Sequence, residues 1–428
     1  MEKVFRIAKK IIPVKIFKLF QPAYHYLLAL LGAMMYHFPA QHTKVIAVTG
    51  TKGKSSVVEL TNAILEEAGF KTAVLGTIRF KIGERSKPNL HKMTTPGRFF
   101  VQKFLRDAVT AKCDYAVVEM TSEAARQFRH KFIAFDALIF TNLSPEHIES
   151  HGSYEKYVEA KLSIGKALEK SSKKDRVLVV NGDEKESMRF LALDIPKKLS
   201  YGLKDAVPYG VDDGKMSFML DGKKINTHLK GIFNIYNCLA AATFAKSQNI
   251  STDTIKNALE KVEIIKGRVE HVVLGPLDPA RGKQDFEVVV DYAHTADSME
   301  KFYQIFDGKK KICVFGATGG GRDTWKRKEM GRVADTYCDE IILTDDDAYD
   351  EDPEKIAKEI AEGITKKLPK IIVDRREAIA AALRAAAPGS VVLITGKGTD
   401  PFLMGPNGKK LPWSDVDVAK EELAKIKS

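Results

Sequence analysis

The sequence predicts an α/β fold: two parallel-sheet domains preceded by a short helical segment. Three observations carry this expectation. From Lys44 onward, short apolar runs alternate with amphipathic helical stretches, the pattern of parallel strands joined by crossover helices. The alternation restarts near Val269, after a stretch of different character. A small glycine loop with a lysine, Gly50 to Ser55, lies between the first apolar run and the first helical stretch.

Each element follows in order. The opening "MEKVFRIAKKIIPVKIFKLFQPAYHYLLALLGAMMYHFPA" is basic, apolar and aromatic. Its longest uncharged run, Leu19 to Gln41, is interrupted by proline, histidine and tyrosine, a poor pattern for a spanning helix. It has no small-residue cleavage site of the usual signal type. Two readings stand side by side. One is a helical pair packed on the next domain. The other is a membrane-surface anchor over residues 1–38, with lysine and arginine at the headgroups and Phe, Leu and Tyr below. Strands are then expected at "KVIAVTG", "TAVLGTI", "YAVVEM", "DALIFTNL" and "RVLVVNGD". Residues 200–232 have the turns and alternation of antiparallel hairpins. A helical stretch is expected from Asn234 to about Lys261. The second series has strands at "FEVVVDYA", "KKICVFGA", "DEIILTDDD", "KIIVD" and "SVVLITG". The chain thus divides into a segment 1–40, a domain 41–267 and a domain 268–428.

A chain of 428 residues supports two or three domains. The net charge of +12 favours acidic or phosphorylated partners, but it is spread along the chain, so a nucleic-acid partner is not expected. Cys113, Cys238, Cys313 and Cys338 form no CxxC pair and no metal spacing. They read as buried thiols of a reducing compartment.

Gly50-Thr51-Lys52-Gly53-Lys54-Ser55 follows a strand and precedes a helix. Glycines let backbone N–H groups approach phosphate oxygens, and the helix N-terminus adds a favourable dipole. Lys54 would reach the β and γ phosphates, and Ser55 would offer a hydroxyl to Mg²⁺. The loop is a shortened GxxGKS variant, with Val48 where the longer pattern has glycine. Such a loop serves a motor, a kinase or the activation of another molecule. Mg²⁺ wants hard oxygen ligands, and Glu119 at a strand end is a suitable partner for Ser55.

"VTGTKGKSS" resembles the loop of the Mur ligases, ATP-dependent amide ligases of peptidoglycan synthesis. The resemblance keeps family order from about residue 44 to 420. It runs through "TTPG" at Thr94–Gly97, "VVEMTSE" at Val117–Glu123, "TNLSPEHIESHGSYEKYVEAK" at Thr141–Lys161 and "GIFNIYNCLAA" at Gly231–Ala241. It continues through "KGRVE" at Lys266–Glu270, "DYAHTADS" at Asp291–Ser298 and "ITGKGTD" at Ile394–Asp400. The branch it most resembles adds the third residue of the stem peptide, the UDP-N-acetylmuramoyl-tripeptide synthetases, here without the usual N-terminal uridine-binding domain.

The resemblance implies a central P-loop ATPase-like domain and a C-terminal Rossmann-like ligase domain. It implies a cytoplasmic enzyme that forms an acyl phosphate on a muramoyl-L-Ala-D-Glu substrate and joins it to a free amino acid, with ATP and two Mg²⁺ ions. A monomer is expected. Gly50, Thr51, Lys52, Gly53, Lys54, Ser55, Ser56, Asn237, Arg268, Asp291 and His294 would bind ATP. Lys54, Glu119, His147, Lys161 and Arg268 would be catalytic. Ser55, Glu119, His147 and Lys161 would hold metal, Lys161 as a CO₂-derived carbamate. That modification turns a cation into an anionic oxygen ligand and needs a locally neutral, buried amine. Thr94, Thr95, Ser122, Arg129, His151, Arg322, Asp346, Asp347, Tyr349, Gly396 and Asp400 would contact substrates, with Arg322 on the incoming α-carboxylate.

Three departures from the family matter. Only about forty residues precede the ATPase core, so the acceptor is either a UDP-muramyl peptide held differently or a lipid-linked muramyl peptide at a membrane surface. The family's amino-acid-selecting DNPR reads Asp346-Asp347-Ala348-Tyr349. The acidic set Asp346, Asp347, Asp350 and Asp352 either favours a cationic side chain such as lysine or is simply solvated. Finally, Glu123 and Asp400 replace family residues at the ends of their motifs. The rival readings are another ligase of the superfamily, such as a folylpolyglutamate synthetase, a ligase-derived binding protein, and a P-loop kinase or motor.

Overall fold

The computed structural model describes residues 14–146, 148–212, 215–273, 285–321 and 323–427. His147 and Arg322, and the first thirteen residues of the N-terminal segment, lie outside them. The chain forms two compact units. The first comprises the described residues up to Ser144, with Tyr154–Val207 and Tyr236–Leu259. The second comprises Pro145–Ser153, Pro208–Ile235 and the described residues from Glu260 onward.

The first unit begins with helix α1 (Val14–Met35). Its small residues Ala29, Gly32 and Ala33 are buried at helical spacing. They allow a close approach: a Cβ on Gly32 would lie 3.6 Å from Phe99 Cα, on helix α3 (Arg98–Thr110). Arg106 of α3 then donates to the carbonyls of Tyr36 and His37, fixing the turn after α1. Phe20, Tyr26, Leu27, Leu31, Met34 and Met35 are exposed. Among the described residues, no helix is long and apolar enough to cross a membrane.

The sheet that follows has eight strands: β1 (Lys44–Thr49), β2 (Thr72–Leu75), β3 (Arg79–Ile82), β4 (Arg85–Pro88), β5 (Tyr115–Glu119), β6 (Ala137–Phe140), β7 (Val177–Asn181) and β8 (Lys197–Tyr201), in the order β4-β3-β2-β5-β1-β6-β7-β8. All pairs from β2 to β8 are parallel, and β3 and β4 add an antiparallel edge. The five expected strands are all central, because strands buried on both faces read as continuous Val/Ile/Leu runs. The edge strands β3, β4 and β8 escaped the pattern: "RSKP" is exposed throughout, and "KKLSY" buries only Tyr201. Helix α2 (Lys54–Glu67) starts after the glycine loop, and helices α4 (Ser122–Arg126) and α5 (Tyr154–Glu169) follow β5 and β6. The helical stretch from Asn234 is two helices, Ile232–Ser247 and Thr252–Lys261. Between them Asn249 adopts a left-handed backbone, φ 61°, which a continuous helix does not accommodate.

The second unit holds an antiparallel sheet of β9 (Tyr209–Asp212), β10 (Lys215–Leu220) and β11 (Lys223–Thr227), where hairpins were expected. Its main sheet has β12 (Glu270–His271), β13 (Glu287–Asp291), β14 (Lys311–Phe315), β15 (Glu340–Leu343), β16 (Lys370–Ile371) and β17 (Val391–Thr395), in the order β12-β13-β17-β14-β15-β16. All pairs but β12·β13 are parallel. Helices α6 (Ala296–Gln304), α7 (Trp325–Tyr337), α8 (Pro353–Ala361), α9 (Arg375–Ala385) and α10 (Asp415–Lys427) accompany it. Alternate strand residues feed two cores: Val289, Cys313, Leu343 and Leu393 on one face, Val288, Val314, Ile342 and Ile394 on the other. The mixed α/β class with parallel-sheet domains is the class expected from the sequence.

One expectation is corrected. Cys313, on β14, and Cys338, which ends α7, form a disulfide bond, while Cys113 and Cys238 are free and buried. The four cysteines therefore no longer argue for a reducing compartment. The two partners are 25 residues apart, and only the return of α7 onto the sheet puts their Cα atoms 6.0 Å apart.

Candidate active site

Ligand sites in open parallel sheets gather at the C-terminal strand ends. Here Val48 of β1 is level with Glu119 of β5, and Thr49 with Phe140 of β6. The loop after β1, the carboxylate ending β5 and the Thr141-Asn142 turn after β6 therefore converge. Gly50 and Gly53 are required there. Gly50 has φ 150°, and a Cβ would lie 1.9 Å from Thr141 Oγ1. Gly53 has φ 79°, and a Cβ would lie 2.4 Å from Asn237 Oδ1. The loop is pinned from outside: Asn142 accepts from Lys52 N at 2.8 Å through its side chain and from Thr51 N at 2.9 Å through its carbonyl. Thr51 Oγ1 lies 2.8 Å from Tyr157 Oη of α5.

The loop's side chains fall on two sides. Lys54 Nζ donates to Thr51 O at 2.9 Å. Ser55 Oγ, at the buried start of α2, donates to Glu119 Oε1 at 3.1 Å and lies 3.2 Å from Oε2. Ser56 beside it is buried. Glu119 is 2 % exposed and is oriented by Thr77, whose N–H and hydroxyl donate to Oε2 at 2.9 and 3.1 Å. Lys161, also 2 % exposed, reaches back from α5 to donate to Gly50 O at 2.5 Å, and its Nζ lies over the Tyr157 ring.

The TTP segment completes this wall. Thr94 Oγ1 lies 2.8 Å from Thr77 Oγ1, and Thr95 Oγ1 donates to Glu119 O at 2.6 Å. Arg129 donates to Thr95 O and, at 2.8 Å, to Gln127 Oε1. Ser122 is buried at the start of α4, which Thr121 caps by accepting from Ala124 N. The first unit thus brings together Gly50, Thr51, Lys52, Gly53, Lys54, Ser55, Ser56, Thr94, Thr95, Glu119, Ser122, Arg129, Lys161 and Asn237.

The second unit holds the rest. His151 ends the short helix Ile148–His151 and is buried. Arg268 stacks on the Tyr292 ring, 4.4 Å from its centroid. Asp291 accepts from Val269 N at 2.8 Å and Ala293 N at 2.7 Å, so it ties the chain around residue 268 to β13. Burial pushes the Asp291 carboxyl up, against the pull of Arg268 and those two donors. His294 faces oxygens with both ring nitrogens, Tyr292 O at 2.7 Å and Glu146 Oε1 at 3.1 Å.

The acidic loop after β15 is committed inside the protein. Lys397, 1 % exposed, lies 2.8 Å from Asp347 Oδ1, 3.4 Å from Asp400 Oδ2 and 3.7 Å from Asp346 Oδ1. Asp347 also accepts from Met404 N, and Asp346 packs against Gly396, where a Cβ would lie 2.3 Å from Oδ2. Burial raises Asp346, with Lys397 and Arg375 opposing, and burial with the Asp346 charge pushes Asp345 up to about 6. Asp350 accepts from Asn407 N, and Asp352 caps α8 through Glu354 N. Tyr349, half-buried, faces Gly320 of the "GATGGG" loop. That loop needs its glycines: Cβ atoms on Gly316 and Gly319 would each lie 2.2 Å from a backbone oxygen, of Thr344 and Ala348.

Among the described residues, no group of three or more His, Cys, Asp or Glu side chains is placed to hold a metal ion. The hard-oxygen pair of Ser55 and Glu119 fits an Mg²⁺ ligand set in chemistry and burial. Thr77, Asn142, Tyr157 and Lys397, which orient these groups, were not singled out from sequence. Their signal is only their nearness in the fold.

The model of the Mur ligase middle domain matches residues 48–245, and that of the Mur ligase glutamate ligase domain matches residues 267–398. The chain is 38% identical over 413 residues to the UDP-N-acetylmuramoyl-L-alanyl-D-glutamate–2,6-diaminopimelate ligase of Syntrophomonas wolfei, covering 92% of this chain and 81% of that protein. A solved structure of an enzyme with that same name superposes with TM-score 0.61 at 25% identity, covering 94% of this chain and 83% of the other. The Mycobacterium tuberculosis folylpolyglutamate synthase, solved with ADP and AMPPCP, shares the fold, with TM-score 0.68 at 16% identity over 87% of this chain and 93% of its own.

Proposed function

The chain belongs to the Mur ligase family of ATP-dependent amide ligases, and on that premise we propose that it adds the third stem-peptide residue to a muramoyl-L-Ala-D-Glu acceptor through an acyl phosphate. The observation that carries the reading is one cluster: the phosphate loop, Ser55 within 3.1 Å of Glu119, and the buried Lys161 amine on the carbonyl of Gly50.

A carboxylate oxygen of the D-glutamyl residue attacks the γ-phosphorus of ATP, and ADP departs. The amino acid's amine then attacks the acyl carbon, phosphate leaves, and the amine loses a proton. Backbone N–H groups of the loop and the N-terminus of α2 hold the phosphates in place. Lys54 exchanges its hydrogen bond to Thr51 O for phosphate oxygens. Ser55 and Glu119 would hold one Mg²⁺, and His147 with a carbamate on Lys161 a second. Bound there, the ions would neutralise developing phosphate charge. Arg268 and His294 serve ATP, and Thr95, Ser122 and Arg129 face the acceptor. Asp346 and Asp347 serve the fold as counter-ions of Lys397, Arg322 takes the incoming α-carboxylate, and selection of the side chain falls to Tyr349. The site of action is the cytoplasmic side, where ATP is available.

The test is phosphate release from ATP with UDP-MurNAc-L-Ala-D-Glu and lysine, diaminopimelate, ornithine or no amine, with mass analysis of the product. A tripeptide with one amine supports the reading. Turnover without an amine acceptor, or product only from a folate acceptor, sinks it.

The exposed apolar side chains of α1 favour one addition, contact with a membrane surface through residues 1–38. Co-sedimentation of the full chain with anionic vesicles checks it. Equal recovery in the supernatant with and without vesicles counts against it.

A further inference from the structure

Helix α1 does more than cover α3. His25 of α1 lies against Arg98, the first residue of α3, with Nδ1 2.5 Å from Arg98 Nη2. A guanidinium only donates, so Nδ1 is the acceptor and the imidazole proton sits on Nε2. Among the described residues, that Nε2–H is buried without an acceptor. Arg129, 91 % buried by its 9 % exposure, leaves its Nε–H in the same condition.

The surroundings are cationic. Arg98 donates through Nε to Gln127 O at 2.9 Å, and Arg129 to the Thr95 carbonyl and the Gln127 side chain. Neither guanidinium has a carboxylate within ion-pair distance among the described residues. Glu123, whose charge acts on Arg129 and His25, accepts from Arg126 and Gln127 and only partly offsets Arg129. Tyr24 flanks Arg98 on the α1 side. The N-terminus of α3 adds its dipole, because its N-cap is Gly97, which has no capping side chain. Burial and the neighbouring charge disfavour the protonated form of both groups, lowering Arg98 to about 10 and His25 to about 4, so His25 is neutral. Two guanidiniums, an orphaned N–H and an uncapped helix end in one place call for an oxyanion.

We propose that His25, Arg98 and Arg129 form an anion subsite that binds the sugar-linked diphosphate of the acceptor. It rests on the ligase reading only for the identity of that acceptor. Arg129 already touches Thr95, which in turn bonds the backbone of Glu119, so these contacts link the subsite to the Glu119 end of the site, across the length of the sugar and dipeptide. The guanidiniums take the phosphoryl oxygens as bidentate donors, and His25 adds a third direction through Nε2–H. A diphosphate reaches the subsite from either a nucleoside diphosphate or a polyprenyl diphosphate, because both present the same group.

The experiment is calorimetric binding to the full chain with Mg-ADP saturating the phosphate loop. Three probes are compared: MurNAc-L-Ala-D-Glu, its UDP-linked form, and its form linked through diphosphate to a short prenyl chain. At least tenfold tighter binding of one or both diphosphate forms is expected, and which one names the source. Arg98→Met and His25→Phe should shrink that ratio several-fold, and Arg98→Lys should restore part of it. A ratio near one in the unmodified protein overturns the proposal, as does equal weakening of all three probes by Arg98→Met. Failure of the ligase reading is distinct: no peptide product forms, whatever the binding ratio.

Discussion

Replacing Lys397 with methionine should destabilise the second unit by about 3–5 kcal/mol, the cost of removing one partner from a buried ion cluster. The side chain is 1 % exposed and its Nζ faces three carboxylates, at 2.8, 3.4 and 3.7 Å. Without it, Asp346 and Asp347 lose the buried cation they share, and Arg375, which also acts on Asp346, is already bidentate with Asp415. Asp347→Asn alone should cost less, about 1–2 kcal/mol, because the amide oxygen still accepts from Met404 N. The double variant should recover part of the Lys397→Met loss, since one stranded charge is gone. Urea denaturation followed by tryptophan fluorescence reads the right unit, because Trp325 and Trp413 are the only tryptophans and both lie there. In Lys397→Met the deficit should narrow as pH falls, because the stranded carboxylates take up protons. A loss below about 1 kcal/mol would refute the counter-ion assignment. So would an Asp347→Asn variant of unchanged stability whose KM for the amino acid alone rises, since that places Asp347 on substrate.

Three further outcomes are expected. Burial pushes His130 down to about 3, and neither ring nitrogen has a hydrogen-bond partner among the described residues, so the folded state binds fewer protons than the unfolded chain between about pH 3 and 6.5. Stability of the first unit should therefore fall by about 2 kcal/mol from pH 7 to pH 5, and His130→Leu should flatten that slope in denaturation curves. Gly319→Ala forces a Cβ to 2.2 Å from Ala348 O and should cost about 2–4 kcal/mol by the same fluorescence assay. Lys161→Ala should reduce acceptor-dependent phosphate release at least a hundredfold and remove a carbamate carbon resonance seen in ¹³C-bicarbonate.

The parallel sheets were legible because their strands are buried on both faces, which leaves unbroken runs such as "KVIAVT" and "SVVLIT" in the chain. The phosphate loop was legible because its demands are local: Gly50 and Gly53 adopt backbones and close approaches that other residues resist. Edge strands such as "RSKP" carried no such signature. The partners of charged and sulfur groups were not legible at all. Asp346 and Asp347 read either as a grip on a cationic side chain or as solvated carboxylates until the fold returned Lys397, some fifty residues on, into their midst. Cys313 and Cys338 looked like separate thiols until α7 folded back onto β14. His25 looked like part of an apolar segment, and only docking of α1 beside α3 set it against Arg98, 73 residues away. Backbone preference and burial are written in neighbouring residues, so the sequence by itself determined the central strands and the phosphate loop. Charge pairing depends on distances between segments remote in the chain, and those the tertiary structure alone decided.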